Sequence, residues 1–198
     1  RVVHHGVDHL PATARPPERG SGRPYLLYVG QRDGYKNFGR LLRTWAGDSV
    51  LLGEFDLLCF GGGPWSTEER AEIGRLSLPD GRLIQAHGED AVLVGLYQNA
   101  AAFVYPSMYE GFGIPPLEAM SQGCPVLSSN VSSMPEVLGD AAEYFPPEDR
   151  DALREALHRV LGDSERRSEL QARGRERAAR FTWRRCAEET LAAYRVLA

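Results

Sequence analysis

Tyr105-Pro106-Ser107-Met108-Tyr109-Glu110-Gly111-Phe112-Gly113-Ile114-Pro115-Pro116-Leu117-Glu118-Ala119-Met120 changes its local habit twice. An apolar run, Ala101–Tyr105, reads as a buried strand. A loop carrying Gly111 and Gly113 follows, and glycine lets backbone approach a ligand closely. Two prolines then open a helix, because proline's fixed φ and missing N–H suit a first helical turn. A helix start after a glycine loop offers free N–H groups to an anion. Glu110 and Glu118 stand at the two ends of this turn with seven residues between them. Carboxylates repel phosphate, so they suit hydroxyls. Phosphate and hydroxyls together suggest a sugar nucleotide.

Working outward, strand, loop and helix alternate along the chain. Strands are expected at Tyr25–Val29, Phe55–Phe60, Leu83–Gln85, Ala101–Tyr105, Val126–Ser128 and Glu143–Phe145. Between them lie a helix from Lys36 to Trp45 with Phe38, Leu41, Leu42 and Trp45 on one face, and a helix to Leu76 capped by Ser66 and Glu69. Further helices are expected at Ala91–Asn99, at a capped Ser132–Val137, and at Asp149–Leu161 and Ser164–Arg180. Thr182 caps a last one. Such alternation argues a parallel α/β sheet. The predicted architecture is a Rossmann-like three-layer domain of about six strands, with its cleft at the carboxyl ends of the strands.

Composition limits the alternatives. The 198 residues suffice for one domain, and the net charge of −4 shows no basic surface for nucleic acid. Cys59, Cys124 and Cys186 lack metal spacing and read as thiols of a reducing compartment. No apolar run is long enough to cross a bilayer. The chain lacks an initiator Met and opens on what reads as a short strand, Arg1–Asp8, so a piece of a longer protein is expected. His4, His5, Asp8 and His9 cluster there, but Gly6 and Pro11 argue against a ligand-bearing helix, and no metal site is expected. Pro11–Arg23, rich in Pro, Gly and Arg, reads as a mobile connection.

Taken whole, Tyr105–Met120 resembles the Glu-x7-Glu signature of retaining glycosyltransferases of family 4, which have the GT-B fold of two Rossmann-like domains. The resemblance covers nearly the full chain and matches the C-terminal, donor-binding half. It implies an interdomain hinge at 1–23, a nucleotide-sugar-binding domain at 24–181, and a helix at 182–198 that crosses back to an absent N-terminal domain. Trp183, Leu191 and Tyr194 would then be partly exposed. Pro125, Val126-Leu127, Pro135-Glu136-Val137 and Gly139-Asp140-Ala141 also look like the family.

The resemblance implies roles residue by residue. Lys36, followed by Asn37, matches a diphosphate-binding lysine; Arg32 stands one place later than the family's usual arginine, with Gln31 in that arginine's position. Both residues are otherwise read as solvated charges. Glu110 is expected near the transferred sugar, with Arg32 and Lys36 completing the catalytic set. Glu118 is expected on the ribose hydroxyls. Backbone N–H groups of Gly111, Phe112, Gly113 and Ile114 would serve sugar and phosphate. Gly61, in Gly61-Gly62-Gly63, could approach phosphate or simply make a tight turn, and His87 could border the base or be solvated. The family works without metal, and none of these stretches holds an Asp-x-Asp pair. No cofactor is expected beyond the donor, a GDP- or UDP-linked sugar. The wording looks most like bacterial polysaccharide or glycolipid transferases, many using GDP-mannose. That implies a cytoplasmic setting, admits peripheral association at the inner face of the membrane, and gives an acceptor sugar or glycolipid bound through the absent half. Rival readings are a GT-B nucleotide-sugar epimerase and a non-catalytic nucleotide-sugar-binding module.

Overall fold

In the computed structural model, which describes residues 2–11, 14 and 22–197, six strands form one sheet. They are β1 Tyr25–Val29, β2 Asp56–Phe60, β3 Leu83–Ala86, β4 Ala102–Tyr105, β5 Val126–Ser129 and β6 Ala142–Phe145. Their order is β3-β2-β1-β4-β5-β6, and every pairing is parallel. Tyr25 to Val29 stand opposite Asp56 to Phe60 on one side, and Leu26 and Leu27 stand opposite Ala102 and Phe103 on the other. Chain order therefore reverses between β1 and β4. A crevice opens at such a point, because the loops leaving the two strands turn to opposite faces of the sheet.

The strands read as continuous apolar runs because both faces are covered. Successive residues of β1 point to opposite faces: Tyr25 and Leu27 pack with Leu58, Phe103 and Val126, while Leu26 and Tyr28 pack with Leu57, Val104 and Leu127. The first face carries α4 Asp90–Asn99, α5 Ile114–Ser121 and α6 Met134–Leu138. The second carries α1 Phe38–Ala46, α2 Ser49–Glu54, α3 Thr67–Leu76 and α7 Arg150–Gly162. Between them α8 Ser164–Ala178 gives Leu170 to one cluster and Ala178 to the other. The expected apolar face of α1 is fully buried at Phe38, Leu41, Leu42 and Trp45, each worth about 1.5–3 kcal/mol in apolar burial. Ser66 accepts from the Glu69 amide at 3.1 Å while Glu69 accepts from the Ser66 amide at 2.7 Å, so the expected capping box of α3 is present.

Three expectations are corrected. The short helix α2 was not expected; Asp48 caps it by accepting from the Val50 and Leu51 amides at 3.0 Å each. The strand expected over Arg1–Asp8 does not form in residues 2–8. That segment meets no sheet edge. It runs instead against the start of α9 Trp183–Leu197, bonded through the Val7 amide to the Phe181 carbonyl at 3.0 Å. The serines before α6 make no side-chain cap; both are drawn to the Glu110 carbonyl. Thr182 does cap α9, accepting from the Arg185 amide at 3.2 Å. Trp183, Leu191 and Tyr194 are exposed. The Pro11–Arg23 connection falls mostly outside the described residues.

Candidate functional site

The loops leaving β1 and β4 meet at the reversal point. After β1 the chain makes a 3-10 turn at Gly34–Lys36, and Asn37 follows in the left-handed region with φ 57°. The Asn37 side-chain amide donates to the Pro106 carbonyl at 3.0 Å and the Pro147 carbonyl at 2.9 Å. One side chain thus ties the β1 loop to the loops after β4 and β6. The Tyr35 carbonyl accepts from the Met108 amide at 2.7 Å and adds a second tie.

These ties bring Lys36 Nζ to 2.8 Å from Glu110 Oε1 across 74 residues of sequence. The pair is half-buried, with 19% of the Lys36 and 11% of the Glu110 side chain exposed. Ser133 Oγ donates to the Glu110 carbonyl at 2.9 Å. Ser132 Oγ lies against both the amide and the carbonyl of Glu110. The Tyr105 ring lies 5.6 Å from Lys36 Nζ. Burial, and then the Glu110 charge, push the Tyr105 hydroxyl far above its usual range, so it stays protonated beside the carboxylate.

Gly113, with φ 96°, starts α5. That backbone conformation favours glycine, and a Cβ there would stand 2.5 Å from Met134 Cε, whose side chain would have to shift. Pro115 and Pro116 follow Ile114 directly. Having no N–H, they thin the expected anion site: of the first three helical residues only Ile114 offers an amide proton, and the Gly111–Gly113 amides precede it. The Phe112 ring packs against His4 at 5.8 Å, His5 at 5.3 Å and Phe181 at 5.9 Å.

Glu118 sits one turn into α5 and is buried. His9 Nε2 lies 3.0 Å from its Oε1, and the Tyr97 hydroxyl donates to its Oε2 at 3.2 Å. Burial raises the Glu118 carboxyl above its usual range; His9 and Tyr97 pull it down, while Asp90 adds to the rise.

Arg32 is engaged by the turn after β2. Its guanidinium bonds Glu69 at 2.7 Å, the Gly63 carbonyl at 2.6 Å and the Gly61 carbonyl at 3.2 Å, and it stacks on Trp65 at 4.3 Å. With 4% of its side chain exposed, Arg32 braces the turn between β2 and α3. Gly61, with φ 82°, belongs to that braced turn. His87 is exposed in the loop after β3. The Asp-x-Asp spacing at Asp149-Arg150-Asp151 lies at the start of α7, where Asp149 caps the helix and Asp151 pairs with Arg154. Sequence reasoning missed Ser132, Ser133, Tyr97 and Tyr105 as supports of the two glutamates. For the serines, the helix start at Met134-Pro135 offered capping as the nearer reading, and that reading hid their contact with Glu110.

Residues 12–177 match the family model described as Glycosyl transferases group 1. The chain belongs to this family. Among its relatives is the O-antigen chain mannosyltransferase B of Escherichia coli, 37% identical over 178 residues, which are 87% of this group 1 chain and 46% of that enzyme. The MMP alpha-(1->4)-mannosyltransferase of Mycolicibacterium hassiacum is 37% identical over 109 residues, 53% of this chain and 26% of the relative. The chain thus spans less than half the length of these relatives. Sucrose-phosphate synthase from Thermosynechococcus elongatus superimposes with a TM-score of 0.75 at 29% identity, over 90% of this chain and 46% of that one. The sheet and its flanking helices are those of one Rossmann-like domain of such GT-B enzymes.

Proposed function

We propose that this group 1 chain is the nucleotide-sugar-binding half of a retaining, metal-independent glycosyltransferase. The observation that carries the proposal is the Lys36–Glu110 pair, 2.8 Å apart at the strand-order reversal and adjoining the loop that opens α5. The mannosyltransferases among its relatives favour a mannosyl donor, with GDP as the first nucleotide to test and UDP as the second.

In transfer, the bond from the anomeric carbon to the phosphate oxygen breaks and its electron pair stays on the diphosphate. The acceptor hydroxyl oxygen bonds to that carbon on the face the phosphate leaves, and its proton passes to the departing phosphate oxygen. Charge grows negative on the diphosphate and positive on the ring. Groups that strengthen their hold as this happens accelerate the step. Lys36 turns from Glu110 to the diphosphate, and the Gly111–Ile114 amides face the same charge. Glu110, freed of its partner, faces sugar hydroxyls and the developing ring charge. Glu118 takes the ribose hydroxyls. Arg32 acts through the turn it braces, and His87 borders the base. The acceptor, a sugar or glycolipid, comes from a second domain. We place the enzyme in the cytoplasm, peripherally at the membrane's inner face, where thiols such as buried Cys59 and Cys124 remain reduced. No described helix is long and apolar enough to cross a membrane.

Titration calorimetry of the chain against GDP, UDP and ADP without added divalent cation tests the proposal. One diphosphate is expected to bind selectively, and Glu118→Ala to abolish that binding. Equal binding by Glu118→Ala would remove its ribose role.

A further inference from the structure

Glu118, the acid that the nucleotide reading assigns to ribose, is already engaged at both oxygens, by His9 at 3.0 Å and by Tyr97 at 3.2 Å. Only 9% of the Glu118 side chain is exposed, whereas His9 keeps 39%. A ribose presenting two hydroxyls needs free carboxylate oxygen, and the imidazole occupies Oε1. Tyr97 cannot make way, because it is fully buried in the core. His9 can, because it stands on an irregular segment outside any helix or strand.

What His9 is fastened to matters as much. Its neighbour Asp8 accepts from the Trp183 amide at 2.7 Å. Val7 bonds the Phe181 carbonyl. Gly6 packs so closely on the Trp183 backbone that a Cβ would stand 2.1 Å from its nitrogen. The His9 ring meets the Trp183 indole edge-on at 6.5 Å. Residues 6–9 and the start of α9 are therefore stitched into one unit, and the His9–Glu118 contact fastens that unit to α5.

We propose that His9 is a displaceable latch on the ribose-binding carboxylate: seated, it closes Glu118, and an arriving nucleoside diphosphate evicts it and loosens residues 6–9 from the start of α9. This rests on the nucleotide reading above and adds to it a mechanical consequence. Occupancy of the nucleotide site is reported to the segment through which residues 6–9 and α9 lean on each other.

The test compares the parent chain with His9→Ala, titrating GDP and UDP by calorimetry and following hydrogen exchange at the Trp183 amide. A contact between a half-exposed imidazole and a carboxylate that must be broken before binding weakens binding by about two- to fivefold. His9→Ala is therefore expected to bind the preferred diphosphate tighter by that factor. In the parent, nucleotide is expected to speed exchange at Trp183; in His9→Ala, exchange is expected to be fast without nucleotide. Equal or weaker binding by His9→Ala overturns the latch, as does nucleotide binding that leaves Trp183 exchange unchanged in the parent. Fast exchange in His9→Ala with no binding of either nucleotide by either protein overturns the proposal through its occupant, and identifies the nucleotide reading as the part that failed.

Discussion

Replacing Lys36 with methionine separates a diphosphate ligand from a structural charge. In the free protein the ammonium is held by Glu110 at 2.8 Å, half-buried. A diphosphate therefore gains it in exchange for that carboxylate. A hydrogen bond to a charged group is worth about 1.5–3 kcal/mol net, or about 10- to 150-fold in affinity. The substitution also leaves the Glu110 carboxylate uncompensated and facing the incoming phosphates, which pushes the loss toward the upper end. A nucleoside without phosphates meets neither effect, so its affinity should stay within about twofold. Calorimetry of GDP against guanosine, and of UDP against uridine, on the parent and Lys36→Met chains reads the difference directly. Glu110→Gln is the control with opposite sign: it frees the ammonium and should tighten the diphosphate several-fold while leaving the nucleoside alone. If Lys36→Met weakens nucleoside and diphosphate alike, Lys36 is not a phosphate ligand and the exchange argument fails.

Two further outcomes follow from the neighbouring residues. Because burial holds the Glu118 carboxyl above its ordinary value of 4.5, the folded chain binds more protons than the unfolded one between that value and the raised one. Stability therefore falls as pH rises through this window, with His9, Tyr97 and Asp90 facing the carboxyl. Glu118→Gln should flatten that slope, and thermal unfolding curves of parent and variant that stay parallel from about pH 4 to 7 would sink the argument. Arg32→Met strips the donor from Glu69 and from the Gly61 and Gly63 carbonyls. It should cost about 1–3 kcal/mol of stability in denaturant unfolding, while diphosphate and nucleoside affinities change together. A selective loss for the diphosphate would return Arg32 to the phosphate site.

Strands and most helices were legible because their signals are local. Tyr25–Val29 is apolar without interruption, Ser66 and Glu69 spell a capping box, and Gly113-Ile114-Pro115-Pro116 marks a helix start from backbone constraints alone. The convergence of Lys36 and Glu110 followed from one topological rule, once the loops after β1 and β4 were placed at the same end of the sheet. What sequence did not reveal was choice of partner. Arg32 had Glu69 and the Gly61 and Gly63 carbonyls within reach, and a guanidinium with five donors goes where acceptors are most numerous. Glu118 read as open to solvent ligands because nothing in the order of residues shows that His9, 109 positions away, folds back upon it. The helix α2 was hidden by its brevity: its six residues are too few to display a period, and only the Asp48 cap announces it.

Asn37 sets a limit on how this protein can vary. Its backbone, at φ 57°, excludes β-branched side chains, and its side chain is wanted only as a double donor, since both partners are carbonyl oxygens. Aspartate tolerates the backbone but would turn lone pairs toward lone pairs. Glycine tolerates it better still and brings no donor at all. Asparagine alone meets both demands with a chain this short. Deamidation, a single chemical change that leaves size and shape almost untouched, would convert the tie among three loops into a repulsion. The spacing of Lys36 from Glu110 thus depends in part on the chemical integrity of one amide that need never touch a ligand.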